Sequence, residues 1–451
     1  MKFKGTLIWA LVLIVLVAFV YLYEIKGGQQ RQVAEEEAKK LLPLRTEEVL
    51  ELTLRRPSET VVCRRTGGDW VITEPIETAG DRAAIDRILQ TLAQAEKHRT
   101  VTDSAADLSH FGLDPPQITV QIRSGEGLEG IVHLGQKNPI GSHIYARLAD
   151  RPTVYLTGTP LLTQVQTELF QLRDRRVLAF EQPEVRGLML QRDGETIELV
   201  RDAEQWSLKK PLQVKADTDK INNMLEKLNS ARVSNYMEET PEDLSFWGLD
   251  RPELSVTLVL GPETTRQTLL IGDPGEDGRY ARDVSREPVF VIPDDLFREL
   301  DASLFDLRDK AILDFQKERA AELELRFDEI TIVCRKDTSG QWALAVPQST
   351  AADRWEVEAV ISTMAGLQAE VFADQDPTDL DRYGLSNPQL EAILRDEDGQ
   401  RIAWLRLGKE TDEGIYACDA DGKPVVLVNR TTLTALSPEA EDLKKKEAAT
   451  P

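Results

Sequence analysis

Three cysteines, four histidines and an aromatic share of 6% in 451 residues leave this chain short of the side chains from which most reactive sites are built. Cys63, Cys334 and Cys418 are odd in number and fall in strand-like segments, which excludes a disulfide framework. They read as buried strand thiols. No Walker loop, HExxH, CxxC or GxSxG element occurs. Asp396–Gly399 and Asp419–Gly422 are acidic turns without the downstream glutamate of a calcium loop. All four histidines, His98, His110, His133 and His143, fall in the first third of the chain. His133 and His143 belong to neighbouring predicted strands, where they could meet. Two imidazoles without a thiolate or a placed carboxylate are still a poor zinc set. No catalytic residue, cofactor site or metal site is assigned. Positive charge is outnumbered, with 55 Lys and Arg against 78 Asp and Glu. The net charge is −23, and with Lys2 and Lys4 in the leading segment the chain from residue 24 onward carries −25. Such a surface repels nucleic acid and anionic headgroups, leaving proteins, neutral glycans or cations as partners.

One stretch lacks charge altogether. Thr6 to Tyr23 is apolar or aromatic throughout, preceded by Lys2 and Lys4 and followed by Glu24. As a helix it would extend about 27 Å, close to the thickness of a bilayer core. The positive-inside bias puts the N-terminus in the cytoplasm and the remaining chain across the membrane. A cleaved signal peptide is the rival, but the run is longer than a usual signal core and no A-x-A site follows. The expectation is therefore an uncleaved single-pass anchor over 6–23 and a stalk over 24–47. In that stalk the pairs Glu35/Lys39 and Glu36/Lys40 favour a short helix.

What the remaining chain does contain is repetition. Trp70, Trp206 and Trp342 are 136 residues apart, as are Pro75, Pro211 and Pro347, and Gly112, Gly248 and Gly384. Around the glycines run DLSHFGLDPP, DLSFWGLDRP and DLDRYGLSNP. A period of this length is a whole domain rather than a solenoid motif. Three copies are expected over 48–180, 184–315 and 320–437, with a charged, fraying tail over 438–451.

Each copy opens with strand-like alternation (Leu50, Leu52 and Leu54 in the first), then a hairpin whose second arm carries the tryptophan. A helix follows. Its apolar positions are Ile85, Ile88, Leu89 and Leu92, and each recurs 136 and 272 residues later with the i, i+3, i+4, i+7 spacing of one face. Asp81, Asp217 and Asp353 stand where they would cap that helix. Strands are predicted over 118–123, 131–135, 144–148 and 154–156, and a closing helix over Leu161–Leu172 and Leu296–Leu307, shortened in the third copy. The class is α+β: small antiparallel-sheet-plus-helices domains in tandem behind a transmembrane helix.

Gly125, Gly127 and Gly130 match the spacing of a dinucleotide loop, but between two strands, with no helix to follow, they read as a hairpin turn. The most specific motif is D-L-x-x-[aromatic]-G-L-x-x-P, carrying Phe111, Trp247 and Tyr383 before Gly112, Gly248 and Gly384. It reads as a short helical turn closed by a left-handed glycine, with the aromatic pinning the turn to the sheet. A ligand-stacking platform is the alternative, yet three different aromatics at one position suit packing better. Tyr145, Tyr280 and Tyr416, each before an alanine, are read the same way.

The ordered set Trp70, Pro75, Phe111–Leu113, Pro116, Leu134–Gly135 and Tyr145–Ala146, repeated in both later copies, resembles the bacterial domain-of-unknown-function family numbered 4340. The resemblance covers about 48–437. It implies a single-pass envelope protein that works beside an ABC-type permease and an auxiliary subunit of the gliding-motility-transporter type, and it supplies no catalytic residues. The resulting expectation is a non-enzymatic accessory subunit of the bacterial inner membrane, with its bulk in the periplasm or otherwise extracytoplasmic, that binds other envelope proteins. A module binding a glycan or lipid headgroup is the alternative, which a deep apolar pocket with convergent polar groups would favour.

Overall fold

The computed structural model describes Leu13 and residues 35–104, 107–125, 127–327 and 329–445. The expected membrane span over 6–23 lies outside these residues apart from Leu13. Among the described residues no helix is long and apolar enough to cross a membrane.

In the first copy the strands are β1 (Val49–Arg55), β2 (Thr60–Thr66), β3 (Asp69–Glu74), β4 (Thr78–Ala79), β5 (Arg99–Thr102), β6 (Ile118–Ser124), β7 (Gly127–Lys137), β8 (His143–Leu148) and β9 (Val154–Gly158). They form one sheet in the order β4-β3-β2-β1-β6-β7-β8-β9-β5, and the same nine-stranded order recurs in the second and third copies. The strand pairings of the first sheet are antiparallel. Helix α1 (Arg82–Gln94) packs on one face, with α2 (Thr159–Val165) and α3 (Leu169–Leu172) beside it. By contacts the chain groups into two compact units. One comprises Met1–Glu181, Lys227–Glu253 and Leu269–Phe297; the other comprises Gln182–Glu226, Leu254–Thr268 and Arg298–Pro451.

The helix periodicity accounts for the main core. Ile85, Ile88, Leu89 and Leu92 are fully buried, as are their counterparts Ile221, Met224, Leu225 and Leu228, while Val357, Val360, Ile361 and Met364 are nearly so. Asp81 accepts from the Ala84 amide at 2.9 Å, Asp217 from Lys220 at 2.9 Å, and Asp353 from Trp355 at 2.9 Å. Cys63, Cys334 and Cys418 are buried, and burial pushes their thiols up to about 12, 11 and 11, which keeps them protonated.

Several expectations are corrected. Leu50 is 46% exposed, because a bulge between Val49 and Glu51 hands the core position to Val49. The closing helix is two short helices, Thr159–Val165 and Leu169–Leu172, with Glu168 extended between them. In the second copy the break is enforced by a capping box in which Ser303 and Asp306 start a new helix. The segment before residue 48 is more than a stalk, since Leu41, Leu42 and Leu44 are buried in the first core. The tail does not fray at 438. Leu443 is 1% exposed and belongs to the core of the third copy.

The aromatic-glycine turn occupies the other face of the sheet. Along β8, Ile144 and Ala146 enter the main core, so Tyr145 between them points away from it. Gly112, Gly248 and Gly384 are left-handed, with φ of 63°, 66° and 70°. Each turn lies directly on a glycine of the second strand that follows it, β7 in the first copy. A Cβ built on Gly272 would stand 2.2 Å from the Trp247 carbonyl oxygen, and Gly135 and Gly408 face Phe111 and Tyr383 in the same way. Two glycines are thus required face to face, one for its backbone angle and one for its missing side chain.

Gly272→Ala and Gly248→Val should each lower stability by about 1–3 kcal/mol in urea unfolding, the first by crowding and the second by backbone strain. An unchanged urea midpoint for either would show that the turn is free to lift off the sheet.

Candidate functional site: the segments that join the repeats

The motif residues form small satellite clusters. Phe111, Trp247 and Tyr383 stand edge-on to Tyr145, Tyr280 and Tyr416, with ring centroids 4.9, 4.7 and 5.0 Å apart. Trp247 packs with Leu249 and Val289, and Tyr383 with Leu385, Cys418 and Val425. Trp70, Trp206 and Trp342 lie at the main core, nearly fully buried. Gly127–Gly130 forms part of the β6–β7 hairpin, where Ser124 pairs with Gly127.

His133 and His143 do not meet. The register sets His133 opposite Arg147 and His143 opposite Gly158. His133 Nδ1 lies 3.1 Å from the Thr119 hydroxyl, and burial, with Arg147 adding, holds its pKa below the usual histidine value. His143 instead lies 5.0 Å, centroid to centroid, from His98. Among the described residues no group of three or more histidine, cysteine or acidic side chains is arranged to hold a metal ion.

Polar groups converge most densely where one copy passes into the next, a feature that the motif reading did not find. Beyond α3 the chain runs along the edge of the first sheet. The Asp174 amide donates to the Ala79 carbonyl at 2.8 Å. Three residues later it has changed partners. Val177 donates to Ala231 at 3.3 Å, and Val233 donates back to Arg175 at 2.7 Å. Arg173, only 4% exposed, lies over the Tyr236 ring at 3.4 Å and clamps Glu239 through both terminal nitrogens, at 2.5 and 3.0 Å. The Tyr236 hydroxyl donates to the Asp174 carbonyl at 3.2 Å. Arg286 donates to the carbonyls of Arg176 and Val177. A cavity of about 610 Å³ adjoins this junction, lined by Ile76, Thr78, Arg173, Tyr236, Thr240 and Phe290 among others.

The second passage repeats the design. Asp309 donates to Lys215 at 3.1 Å, Ile312 to Leu367 at 3.3 Å and Ala369 to Lys310 at 2.8 Å. Arg308 lies over the Phe372 ring at 3.4 Å. The two chain ends borrow the same backbone pairing without the lock. Leu41 donates to Ala95 and Lys97 to Lys39, each at 2.7 Å, so the segment around Lys39–Leu41 takes the place of an incoming linker. Lys445 donates to Ala351 at 3.0 Å, so the C-terminal segment takes the place of an outgoing one. The aromatic of Tyr236 and Phe372 is Thr100 in the first copy, and the arginine of Arg173 and Arg308 is Lys444 in the third. The aromatics do recur at 136. The arginines are 135 apart, and that one-residue slip hides them from a fixed-period comparison.

The fold and its junctions define a protein of three tandem sheet domains sewn together by their connecting segments. A family model described as a domain of unknown function, DUF4340, matches residues 70–243, 206–350 and 342–450, and the chain belongs to that family. No curated protein matches it. Among solved structures, a DNA polymerase sliding clamp from Pseudomonas aeruginosa with ligand is 9% identical, with 88% of this chain and 95% of that chain covered and a TM-score of 0.13. The DNA polymerase III subunit beta from the same organism is 10% identical over the same shares, with a TM-score of 0.14. Superpositions this poor do not bear on the fold.

Arg173→Ala should speed proteolytic cleavage between residues 174 and 183 about tenfold, since the linker loses both its stacking and its ion pair. Arg173→Lys should fall between wild type and alanine, because an ammonium cannot make the paired, planar contact. Equal cleavage of all three proteins would remove the lock from the account.

Proposed function

We propose that this protein is a single-pass, membrane-anchored extracytoplasmic subunit of the bacterial inner membrane that acts by binding other envelope proteins, as an accessory of an ABC-type, gliding-motility-transporter-like system. It performs no chemistry of its own. The observation that carries this reading is the docking of the segment behind the apolar run. Leu41, Leu42 and Leu44 enter the first core and Lys39–Leu41 pairs as a linker would, so the run over Thr6–Tyr23 is followed closely by folded protein. That coupling suits a permanent anchor, which would hold the first domain near the bilayer. The acidic surface and the family's implied neighbours support protein partners.

A second reading, a module for a glycan or lipid headgroup, is favoured by the cavity beside Tyr236 and Phe290. Its two arginines are engaged already, Arg173 with Glu239 and Arg286 with Asp283, so the first reading is preferred.

On this proposal the intact chain stays in the membrane fraction through a carbonate wash, protease added to spheroplasts digests everything beyond Glu24, and an ABC-type permease co-purifies from detergent-solubilised membranes. In a deletion strain, complementation should survive His133→Ala with His143→Ala, and also Thr240→Trp, which crowds the cavity. A soluble product starting near residue 24 would overturn the anchor. Loss of function from the histidine pair in folded protein would point to chemistry, and loss from Thr240→Trp to the ligand-binding reading.

A further inference from the structure

The three tryptophans at the main core occupy the same place but not the same surroundings. In the first copy Trp70 Nε1 donates to Asp86 Oδ1 at 2.8 Å. Arg65, paired with Trp70 in the hairpin register, lies over the indole at 4.7 Å, donates to Asp86 at 3.1 Å, and reaches the carbonyls of Thr46 and Glu47. In the second copy Trp206 Nε1 donates to Asn222 Oδ1 at 3.3 Å, with Gln182 closing over the same turn of helix through the Asn222 carbonyl. Both indoles have an acceptor built into the chain, sixteen residues on from the tryptophan.

In the third copy both supporting residues change. The register sets Lys336 opposite Trp342, where Arg65 and Arg201 stand opposite theirs. Its ammonium lies 5.2 Å from the ring centre and enters no ion pair among the described residues. The acceptor position is Glu358, but that carboxylate is held by Arg354 at 2.7 Å. Trp342 is 4% exposed, and its Nε1 is buried with no acceptor. A cavity of about 420 Å³ opens there, lined by Trp342, Lys317, Lys336, Arg354, Glu358 and Ser362 among others. Glu318 also lines it, and with Glu358 neutralised by Arg354 the two lysines leave the cavity cationic.

We propose that this cavity in the third copy is a binding site for a small oxyanion, the carboxylate or phosphate group of a soluble ligand, which accepts from the Trp342 indole N–H and is flanked by Lys317 and Lys336. A buried donor without a partner is costly, and a group that only accepts hydrogen bonds satisfies the indole and both ammonium groups together. The volume suits a small molecule. The site is independent of the envelope role proposed above, since it stands on the comparison of three copies within one chain.

The test uses the full-length protein in detergent micelles with ¹⁵N-labelled tryptophan. Its seven tryptophans give seven indole signals, and Trp342→Phe identifies the relevant one. Inorganic phosphate and sodium acetate are titrated separately against sodium chloride of equal ionic strength. A saturable shift of the Trp342 signal with phosphate, acetate or both, and not with chloride, is expected; the anion that acts separates a phosphate from a carboxylate ligand. Lys317→Ala with Lys336→Ala should weaken binding at least tenfold. Lys336→Arg with Glu358→Asp, which rebuilds the arrangement of the first copy, should abolish it while the other six signals stay in place. A response equal to that of chloride, no saturable response to either anion, or unchanged affinity in the lysine variant would overturn the site.

Discussion

Backbone pairing of the connecting segments is the constraint on which the other features of this chain depend. A nine-stranded antiparallel sheet has two edges, and edges bearing free amides and carbonyls invite unwanted partners. Here β4 and β5 close the first sheet with very short strands, and the connecting segment pairs with the residues beside them. The same few residues therefore bridge the end of one sheet and receive the next copy. Arginine over an aromatic ring then fixes the side-chain layer, at Arg173–Tyr236 and again at Arg308–Phe372. Planar guanidinium suits that role because it stacks while still donating in its plane.

The segments before the first copy and after the third differ from the two linkers. Pairing is retained, by Lys39–Leu41 at the start and Lys445 at the finish, but the stacked pair is gone. Thr100 replaces the ring and Lys444 the guanidinium. The edge residue also turns polar. Ile76 and Leu212 are half-buried beside their linkers, whereas the corresponding Gln348 is exposed.

Much of this was legible in the sequence, for particular reasons. The α1 face could be read because a helix buries a fixed stripe whatever surrounds it, and the glycine turn because only glycine meets a left-handed angle cheaply. Leu50 was misplaced because a bulge shifts alternation by one, and nothing local announces it. The strands Thr78–Ala79 and Arg99–Thr102 escaped because their pairing is imposed by neighbours distant in sequence. Nothing in the local sequence singles out Arg173 and Arg308. Their meaning lies in Tyr236 and Phe372, more than sixty residues away. The gap beside Trp342 has a sequence signal that was open to reading: Asp86 and Asn222 give way to Glu358, and Arg65 and Arg201 to Lys336.

Native-state hydrogen exchange on the full chain tests the central claim most directly. If the connecting segments are structural strands, the amides of Val177, Val233, Ile312 and Ala369 exchange as slowly as amides inside the sheets, and Leu41 and Lys97 are protected with them. Exchange of these amides at the rate of exposed loops, with the sheets still protected, would show three independent domains on free linkers and contradict the account.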